Sequence, residues 1–331
     1  MQKNRQKRLV YDQTGGVLIV ALCVLVVLSV IAISLASNAK SSIYLSRRLN
    51  DDLKSSLLAR SGFNKALAAI ELSEISPFHF NNSYFINDSA SRDLRTYEVY
   101  GDRTSDFDKH NWIHISDEEG KININYASKD ELVRIPGMTE RIVDCIFDWR
   151  DTDAETNPLG AESDYYWNLS KPYLCKNNNF ESIEELLLIK DMNLDIYNKI
   201  INNVTVYGDG KINLNTCSLQ ALIALGLEEN FARRIIDFRA GLDKELGTID
   251  DFVFTNVDSV PLQLHRKMIL EDSDIEQFFT PYRQGRFTVD SKCFKITSVA
   301  KSMGSAVKIR LSAIIKTDEE SKPEILYWSE M

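Results

Sequence analysis

The longest apolar segment of the chain lies near its N-terminus and runs from Val17 to Ala36. At about 1.5 Å per residue, a helix of this length spans about 30 Å, which is the thickness of a bilayer core. The preceding residues are basic, and such a charge pattern keeps an N-terminus on the cytoplasmic side of a membrane. We therefore predict a membrane-spanning helix whose cytoplasmic flank carries Lys3, Arg5, Lys7 and Arg8.

The helical pattern continues beyond the membrane segment. From Asn38 to Ile75 the sequence has no proline and a single glycine, Gly62. We predict one helix from about Val17 to Leu72, about 80 Å long, that ends before Pro77. Outside the membrane, its apolar residues recur at helical spacing: Ile43, Leu45, Leu49, Leu53, Leu57, Leu58, Phe63, Leu67 and Ile70.

Strand patterns lie on both sides of a long middle segment. We predict a strand at Trp112 to Ile115 and a shorter one at Thr96 to Tyr100. Three more lie near the C-terminus, at Cys293 to Lys301, Ala306 to Lys316 and Glu324 to Trp328. Because apolar and polar residues alternate in them, we expect a half-buried antiparallel sheet that packs on a helix.

The middle segment contains an internal repeat. Residues 120–125 recur almost unchanged as residues 210–215, and residues 148–150 (Asp-Trp-Arg) recur as residues 237–239 (Asp-Phe-Arg). A related unit begins at Ser182, and a further one opens at Thr248. Both residues, like Ser128, precede an acid by three positions, which is the capping box of a helix start. The repeat therefore predicts an all-α domain of stacked helical hairpins.

A pair of glycines, Gly15 and Gly16, stands directly before the apolar segment. A secretory signal would be cut after Ala36, although the segment is too long for a signal h-region. An uncleaved anchor is a second interpretation. A third is a cut at the glycine pair that leaves the helix attached to the exported protein, and the long continuous helix favours it.

This start resembles that of type IV pilins and pseudopilins, and most closely that of the minor pseudopilin K family of type II secretion. The resemblance continues through residues 148–153, 160–162, Tyr165, Tyr166 and residues 180–186, in the order of the family's signature. It implies an α+β, pilin-like fold, in which the long N-terminal helix packs on an antiparallel sheet, with a large all-α helical-hairpin insert. The implied divisions are a leader (1–15), a transmembrane half-helix (16–37), a periplasmic helix with first strands (38–119), the insert (120–278) and C-terminal strands (279–331).

The resemblance also implies processing by a prepilin peptidase, which cuts after Gly15, with Gly16 as the alternative, and methylates the new N-terminus. Most pilins carry glutamate at the fifth mature position, where this chain has Val20 or Ala21. A carboxylate in the bilayer costs about 2.5 to 3.5 kcal/mol unless a partner offsets it, and in pilins that partner is a neighbour's terminal amine. A subunit without the acid fits the tip of a filament.

The function implied by the resemblance is assembly at the pseudopilus tip, where the subunit initiates assembly and limits growth. The implied partners are minor pseudopilins of the I, J and H types, the prepilin peptidase and the inner-membrane secretion platform. The implied location is the bacterial inner membrane, crossed once, with most of the chain in the periplasm. We expect no enzymatic activity, because the four histidines stand in no arrangement with a nucleophile and no glycine-rich phosphate loop precedes a helix.

The alternative function is a membrane-anchored DNA-binding protein of a DNA-uptake or type IV pilus system. Residues 124–139 resemble a helix-hairpin-helix, in which a glycine-rich turn binds phosphate. However, Thr139 replaces the second turn glycine, and residues 120–241 hold 13 Lys plus Arg against 19 Asp plus Glu, a net charge of −6. The whole chain has a net charge of −9. These charges disfavour a nucleic-acid partner.

Two further groups of residues are candidate sites. The cysteines outside the membrane, Cys145, Cys175, Cys217 and Cys293, allow three disulfide pairings in an oxidising periplasm. An acidic segment around Pro158 offers oxygen ligands, which suit calcium better than zinc, although a solvated loop would look similar. Family members bind calcium in the insert, so the resemblance implies a structural Ca²⁺ among Asp148, Asp151, Asp153, Glu155, Glu162 and Asp164.

Overall fold

The computed structural model describes residues 14–71, 112–244, 246, 250–267, 270–301, 308–318 and 321–331. Its helices are α1 (Thr14–Glu71), α2 (Lys129–Val133), α3 (Glu140–Arg150), α4 (Ser163–Trp167), α5 (Leu194–Ile200), α6 (Leu219–Ala224), α7 (Glu229–Arg239), α8 (Val260–Lys267) and α9 (Asp272–Arg283). Its strands are β1 (Trp112–Asp117), β2 (Ile122–Asn123), β3 (Val204–Thr205), β4 (Ile212–Asn213), β5 (Phe287–Thr288), β6 (Cys293–Lys301), β7 (Lys308–Asp318) and β8 (Ser321–Glu330). Most of the predicted leader and the predicted strand at Thr96 to Tyr100 lie outside the described residues.

The predicted long helix is confirmed, since α1 is continuous over 58 residues. Its N-terminal half is long and apolar enough to cross a membrane, with a mean hydropathy of 3.3 in its most apolar stretch. The apolar side chains from Val17 to Leu35 are exposed, so the described part of the chain does not cover them. The C-terminal end of α1, in contrast, packs on protein.

The described strands of the main sheet lie in the antiparallel order β1-β6-β7-β8. The last turns of α1 cross this sheet, and Phe63 meets Trp328 of β8 edge-on, with ring centroids 5.1 Å apart. The shared core consists of Ala59, Phe63, Ala66, Ile70, Ile113, Ile115, Phe294, Ile296, Ala300, Leu311, Ala313 and Ile315.

Glycine at position 62 lets α1 approach the sheet closely. A Cβ added at Gly62 would lie 2.3 Å from Ser298 Oγ and 3.2 Å from a side-chain carbon of Ile113. Glycine inside a helix costs about 1 kcal/mol relative to alanine, so its presence here reflects packing rather than helix propensity. The predicted arrangement of helix on sheet is confirmed.

The insert consists of two units that share one hydrophobic core. The first unit (residues 120–209) pairs β2 with β3, and the second (residues 210–289) pairs β4 with β5, both in parallel. These short strands add to the predicted hairpins. The predicted boundary at residue 278 falls inside α9, and β5 pairs with β4, so the second unit continues to about residue 289.

The sequence repeat corresponds to a repeat of hydrogen bonds. Arg150 donates to the carbonyl oxygens of Ile124 and Ala127, and Arg239 donates to those of Leu214 and Cys217. The loops that precede α3 and α7 turn at Gly137 and Gly226, with φ of 100° and 98°. Equivalent residues therefore make equivalent contacts in the two units.

The predicted capping boxes begin two of the hairpins. Ser128 and Glu131 form one at α2, and Ser182 and Glu185 form another at a 3-10 helix, Ile183–Leu188. Thr248, the predicted start of a further unit, lies outside the described residues.

Candidate metal centre

The acidic segment lies where α3 ends, in the loop that leads to α4. Asp148 is in the last turn of α3, Asp151 is the C-cap of that helix and Glu162 is the N-cap of α4. Asp148 and Glu162 are buried, with 0% and 5% of their surface exposed. The helix end and the helix start thus place three of the six predicted acids near enough for their charges to interact.

One carboxylate oxygen of Asp148 accepts hydrogen bonds, and the other has no hydrogen-bond partner. Its Oδ1 accepts hydrogen bonds from the backbone N–H of Asn157 at 3.0 Å and from its side-chain amide at 2.5 Å. Its Oδ2 is buried and has no hydrogen-bond partner. A Cβ added at Gly160 would lie 1.9 Å from this oxygen, so only glycine allows the loop to pass so close.

The other two acids repeat this pattern. Asp151 Oδ1 and Glu162 Oε1 are also buried without a hydrogen-bond partner. An unsatisfied buried polar atom costs about 1 to 3 kcal/mol, and more when charged, so three such oxygens at one site require an explanation. An ionised carboxylate oxygen can only accept, and a cation is one kind of partner that satisfies such an atom.

The charges at the site repel one another. Burial raises the pKa of Asp151 to about 6, and the nearby charges of Asp153 and Asp148 add to the shift. Burial also raises the pKa of Glu162, and Asp148, Asp151 and Asp153 act in the same direction. A divalent cation would remove this repulsion and stabilise the ionised carboxylates.

The remaining predicted ligands lie at the edge of the site. Asp153, Glu155 and Asp164 are exposed, and Asp153 Oδ1 accepts the backbone N–H of Glu155 at 2.8 Å. Within the described ranges, no group of three or more His, Cys, Asp or Glu side chains is arranged so that it could hold a metal ion. Of the predicted ligands, Asp148, Asp151 and Glu162 are those with a buried oxygen that lacks a hydrogen-bond partner. The sequence prediction missed Asn157, which orients Asp148 by hydrogen bonds. The only sequence feature that could have indicated this role is its amide side chain within an acidic loop.

Aromatic side chains form the wall behind the site. Trp149 meets Tyr166 edge-on, with ring centroids 5.4 Å apart, and Tyr166 is fully buried. The hydroxyl of Tyr166 accepts the backbone N–H of Lys190 at 3.2 Å. Trp167, in contrast, is 63% exposed. Because Trp149 and Tyr166 follow Asp148 and Glu162 closely in sequence, their packing holds the two acids in place.

The predicted disulfide candidates are free thiols in the structure, and all four are buried. The sulfur atoms point to separate backbone oxygens: Cys145 Sγ to Leu159 at 3.8 Å, Cys175 Sγ to Asp148 at 3.3 Å and Cys217 Sγ to Leu214 at 3.8 Å. Cys293 belongs to the main sheet. None of the described cysteines forms a disulfide, and these four buried thiols pack as small apolar side chains.

The hairpin turn that resembles a DNA-binding motif packs against protein. A Cβ added at Gly137 would contact the side chains of Lys199 and Ile200 at 3.5 Å. Arg134 of the first unit donates to the carbonyl oxygen of Ala224 in the second unit at 3.3 Å. The turns therefore contact neighbouring hairpins, which agrees with a structural role for the hairpins.

Comparison with known proteins shows which family the chain resembles. Residues 121–209, which nearly coincide with the first unit, match the family model described as Type II secretion system (T2SS), protein K. The predicted relationship to the minor pseudopilin K family is confirmed. The type II secretion system protein K of Pseudomonas aeruginosa is 29% identical over 148 residues, which cover 38% of this chain. The alignment spans 44% of the length of that relative.

A solved structure shows the same fold. The chain resembles one in the crystal structure of the GspK-GspI-GspJ complex from the enterotoxigenic Escherichia coli Type 2 Secretion System, with a TM-score of 0.59. The two are 16% identical, and the match covers 86% of this chain and 99% of the other. The pilin-like fold class is therefore confirmed.

Proposed function

We propose that this chain is a minor pseudopilin of the type II secretion system that occupies the tip of the pseudopilus. The main support for the proposal is helix α1, which is continuous, apolar in its N-terminal half and amphipathic in its C-terminal half. It has no acid at Val20 or Ala21. Such a helix can join a bundle of similar helices in the membrane. It cannot neutralise the terminal amine of a subunit placed ahead of it.

The packing of α1 supports a role in a filament. Among the residues that the structure describes, only the last turns of α1, from about Ala59 to Ile70, contribute to the core that it shares with the sheet. Nearer the membrane, Leu45, Leu49 and Leu53 are exposed by 54 to 65%. Apolar helix surface of this extent marks an interaction site. Its partners in our proposal are the helices of other minor pseudopilins.

The size of the insert supports the tip position. The insert holds the larger of the two hydrophobic cores, and the sheet holds the smaller. In our proposal, this domain covers the end of the filament and hinders addition of another subunit. The chain thereby initiates assembly with I-, J- and H-type minor pseudopilins and limits filament growth. Its role is assembly rather than catalysis.

We also propose that a prepilin peptidase removes the leader after Gly15, or after Gly16, and methylates the new N-terminus. The mature protein then crosses the inner membrane once, contacts the secretion platform there and exposes its remaining domains to the periplasm. Mass spectrometry of the mature N-terminus tests this step. A methylated N-terminus at Gly16 or Val17 supports the proposal, and an intact Met1 would overturn it.

The tip position has its own test. We would replace residues 120–290 with a short Gly-Ser linker, because Glu118 and Cys293 are hydrogen-bonded neighbours at the base of the insert. Filament length, measured by electron microscopy, should increase, and Val20→Glu should have the same effect with the insert intact. Val20→Ala is the matched control. Unchanged filament length in both variants, with normal copurification of partners, would contradict a tip position.

A structural calcium ion is a further part of the proposal. It is supported by the three buried, unpartnered oxygens of Asp148, Asp151 and Glu162. Calcium accepts several oxygen ligands in irregular geometry, so backbone carbonyls and water can complete the site. The ion would fix the loop between α3 and α4. No step of assembly requires it as a reactant.

A further inference from the structure

One stripe of α1 leads from the membrane segment to the edge of the sheet. Leu49, Leu53, Ser56 and Arg60 follow one another at spacings of four, three and four residues, which places them on one side of a helix. Glu330 of β8 accepts hydrogen bonds from the Ser56 hydroxyl and from Arg60 Nη2, the second at 2.9 Å. The side of α1 that carries Leu49 and Leu53 is therefore the side that faces β8.

Strand β8 presents apolar side chains on the same face of the sheet. In its pairing with β7, Ile325 lies opposite Ile315, and Trp328 lies opposite Ala313. Ile315 and Ala313 belong to the core under α1, and residues that lie opposite each other in a sheet share a face. Ile325 and Trp328 are nonetheless 50% and 41% exposed, because β8 is an edge of the described sheet and α1 lies mainly over β6 and β7.

The exposed side of α1 and the exposed part of β8 meet in a corner. Its helix wall consists of Leu49, Leu53 and Leu57, all more than half exposed. Its strand wall consists of Ile325 and Trp328, and we call the surface formed by these five residues the α1–β8 corner. Contiguous exposed apolar surface marks an interaction site.

The course of the stripe indicates which kind of partner fits the corner. Leu45 precedes Leu49 at the same spacing and lies within about three turns of Ala36, where the apolar segment ends. A partner that follows the stripe toward the N-terminus therefore enters the membrane beside α1. A membrane-anchored helix can do so, whereas a soluble exported protein cannot. A helix with its side chains is about 10 Å wide, so one helix can contact both walls.

We propose that the α1–β8 corner binds the amphipathic helix of one neighbouring minor pseudopilin. The inference rests on the proposed function and deepens it, since it names the side of α1 and the strand that the neighbour contacts. The apolar stripe of the neighbour's helix packs along Leu49 and Leu53, and its membrane-distal part packs against Ile325 and Trp328. One corner accepts one helix, which suits a subunit with a neighbour on one side only.

Disulfide trapping in membranes identifies the occupant. The full chain with Ile325→Cys is co-expressed in turn with the I-, J- and H-type minor pseudopilins of the same secretion system, each carrying single cysteines along the membrane-distal half of its helix. With one of them, adducts should recur at every third or fourth position, because only one side of a helix faces the corner. The described native thiols outside α1 are buried, and Cys23 lies in the membrane segment, away from the scanned positions.

The control for trapping is Leu262→Cys, at a leucine of the insert that is exposed by 52%, and it should give no periodic adducts. Adducts at every second position would indicate a strand added to the edge of β8 rather than a helix. A disulfide between two copies of Ile325→Cys, without an adduct to any pseudopilin, would indicate a second copy as the occupant. Either result would overturn the proposal.

A charge on the stripe tests the same contact without cysteines. Leu49→Lys should reduce copurification of the trapped pseudopilin in detergent at least tenfold, since an unpaired charge in an apolar contact is unfavourable. Ile43→Lys is the matched control, because Ile43 is equally exposed but lies about 120° away around the helix. It should copurify the pseudopilin normally. Equal losses in the two variants, or no loss in Leu49→Lys, would contradict the proposal.

The same measurements separate this inference from the proposed function. Normal copurification by the unchanged protein and by Leu49→Lys would refute the α1–β8 corner alone. Absence of every minor pseudopilin from the unchanged protein would refute the proposed function itself.

Discussion

Arg239 donates a hydrogen bond of 2.6 Å from Nη1 to the carbonyl oxygen of Leu214, although its side chain is fully buried. Its Nη2 donates to the carbonyl oxygen of Cys217 at 3.1 Å. The planar fork of a guanidinium suits two carbonyl groups at once, which lysine cannot match. Arg239 therefore closes the second unit by joining the last turn of α7 to the loop before α6.

We expect Arg239→Ala to destabilise the protein by about 3 kcal/mol, because it removes the guanidinium donors of two buried carbonyl groups and creates a cavity. Arg239→Lys should recover only part of this loss. Thermal unfolding of the full chain in detergent measures the effect. The control is Arg233→Ala on the same helix, which breaks an exposed ion pair with Glu229 and should cost less than about 1 kcal/mol. Equal effects at the two arginines would contradict the structural role of Arg239.

Calcium should stabilise the protein against heat. At about a hundred times its dissociation constant, a ligand that binds only the folded state adds about 2.7 kcal/mol to the free energy of unfolding. We expect a chelator to remove this gain, and Glu162→Gln to abolish it. Glu155→Gln, at an exposed acid of the same loop, is the matched control. If calcium raised the melting temperature of Glu162→Gln as much as that of the unchanged protein, the proposed ligand set would be wrong.

The calcium affinity should depend on pH. Because the pKa of Asp151 is raised to about 6, protons compete with the ion as the pH falls through that value. Without calcium the sign reverses, since a raised carboxyl pKa stabilises the fold at low pH and this contribution is lost as the pH rises through about 6. Calorimetric titration at pH 5 and pH 7.5 measures the affinity. Tighter binding at pH 5 would exclude Asp151 as a ligand.

Gly160→Ala should impair the metal centre without touching an acid. The new Cβ would collide with Asp148 Oδ2, which must then rotate away from the site. We expect calcium affinity to fall by at least tenfold and stability to fall by about 1 to 3 kcal/mol, as for other overpacked positions. The same titration and melting experiments apply. Calcium affinity equal to that of the unchanged protein would show that Asp148 Oδ2 does not face the ion.

The contact between α1 and the sheet can be tested by a double-mutant cycle. Gly62→Ala should destabilise the protein by about 1 to 3 kcal/mol, since the added methyl meets Ser298 Oγ and Ile113. Ser298→Ala removes the nearest of these atoms, so the double variant should be more stable than the sum of the single effects by about 1 kcal/mol. Additive effects would indicate that α1 lies farther from β6 than the structure shows.

Local patterns in the sequence determined the elements and their order. The unbroken helical spacing after Val17 predicted α1, and alternation predicted β6 from Cys293 to Lys301 with the bounds that the structure has. The repeat predicted equivalent hairpins, and the capping boxes at Ser128 and Ser182 are formed. These features depend on neighbours within a few residues, so periodicity is enough to reveal them.

Tertiary structure alone decided which side chains meet. It buried one unpartnered oxygen each of Asp148, Asp151 and Glu162 and left Asp153, Glu155 and Asp164 at the surface, and it buried the four cysteines as free thiols. It also placed Glu119 where its carboxylate accepts the backbone N–H of Lys292, 173 residues away, a contact that no sequence motif predicted. Convergence of this kind depends on how distant segments pack, and packing leaves no periodic trace in the chain. The sequence by itself therefore determined the helix, the strands and the family resemblance, and the fold decided where charge is buried.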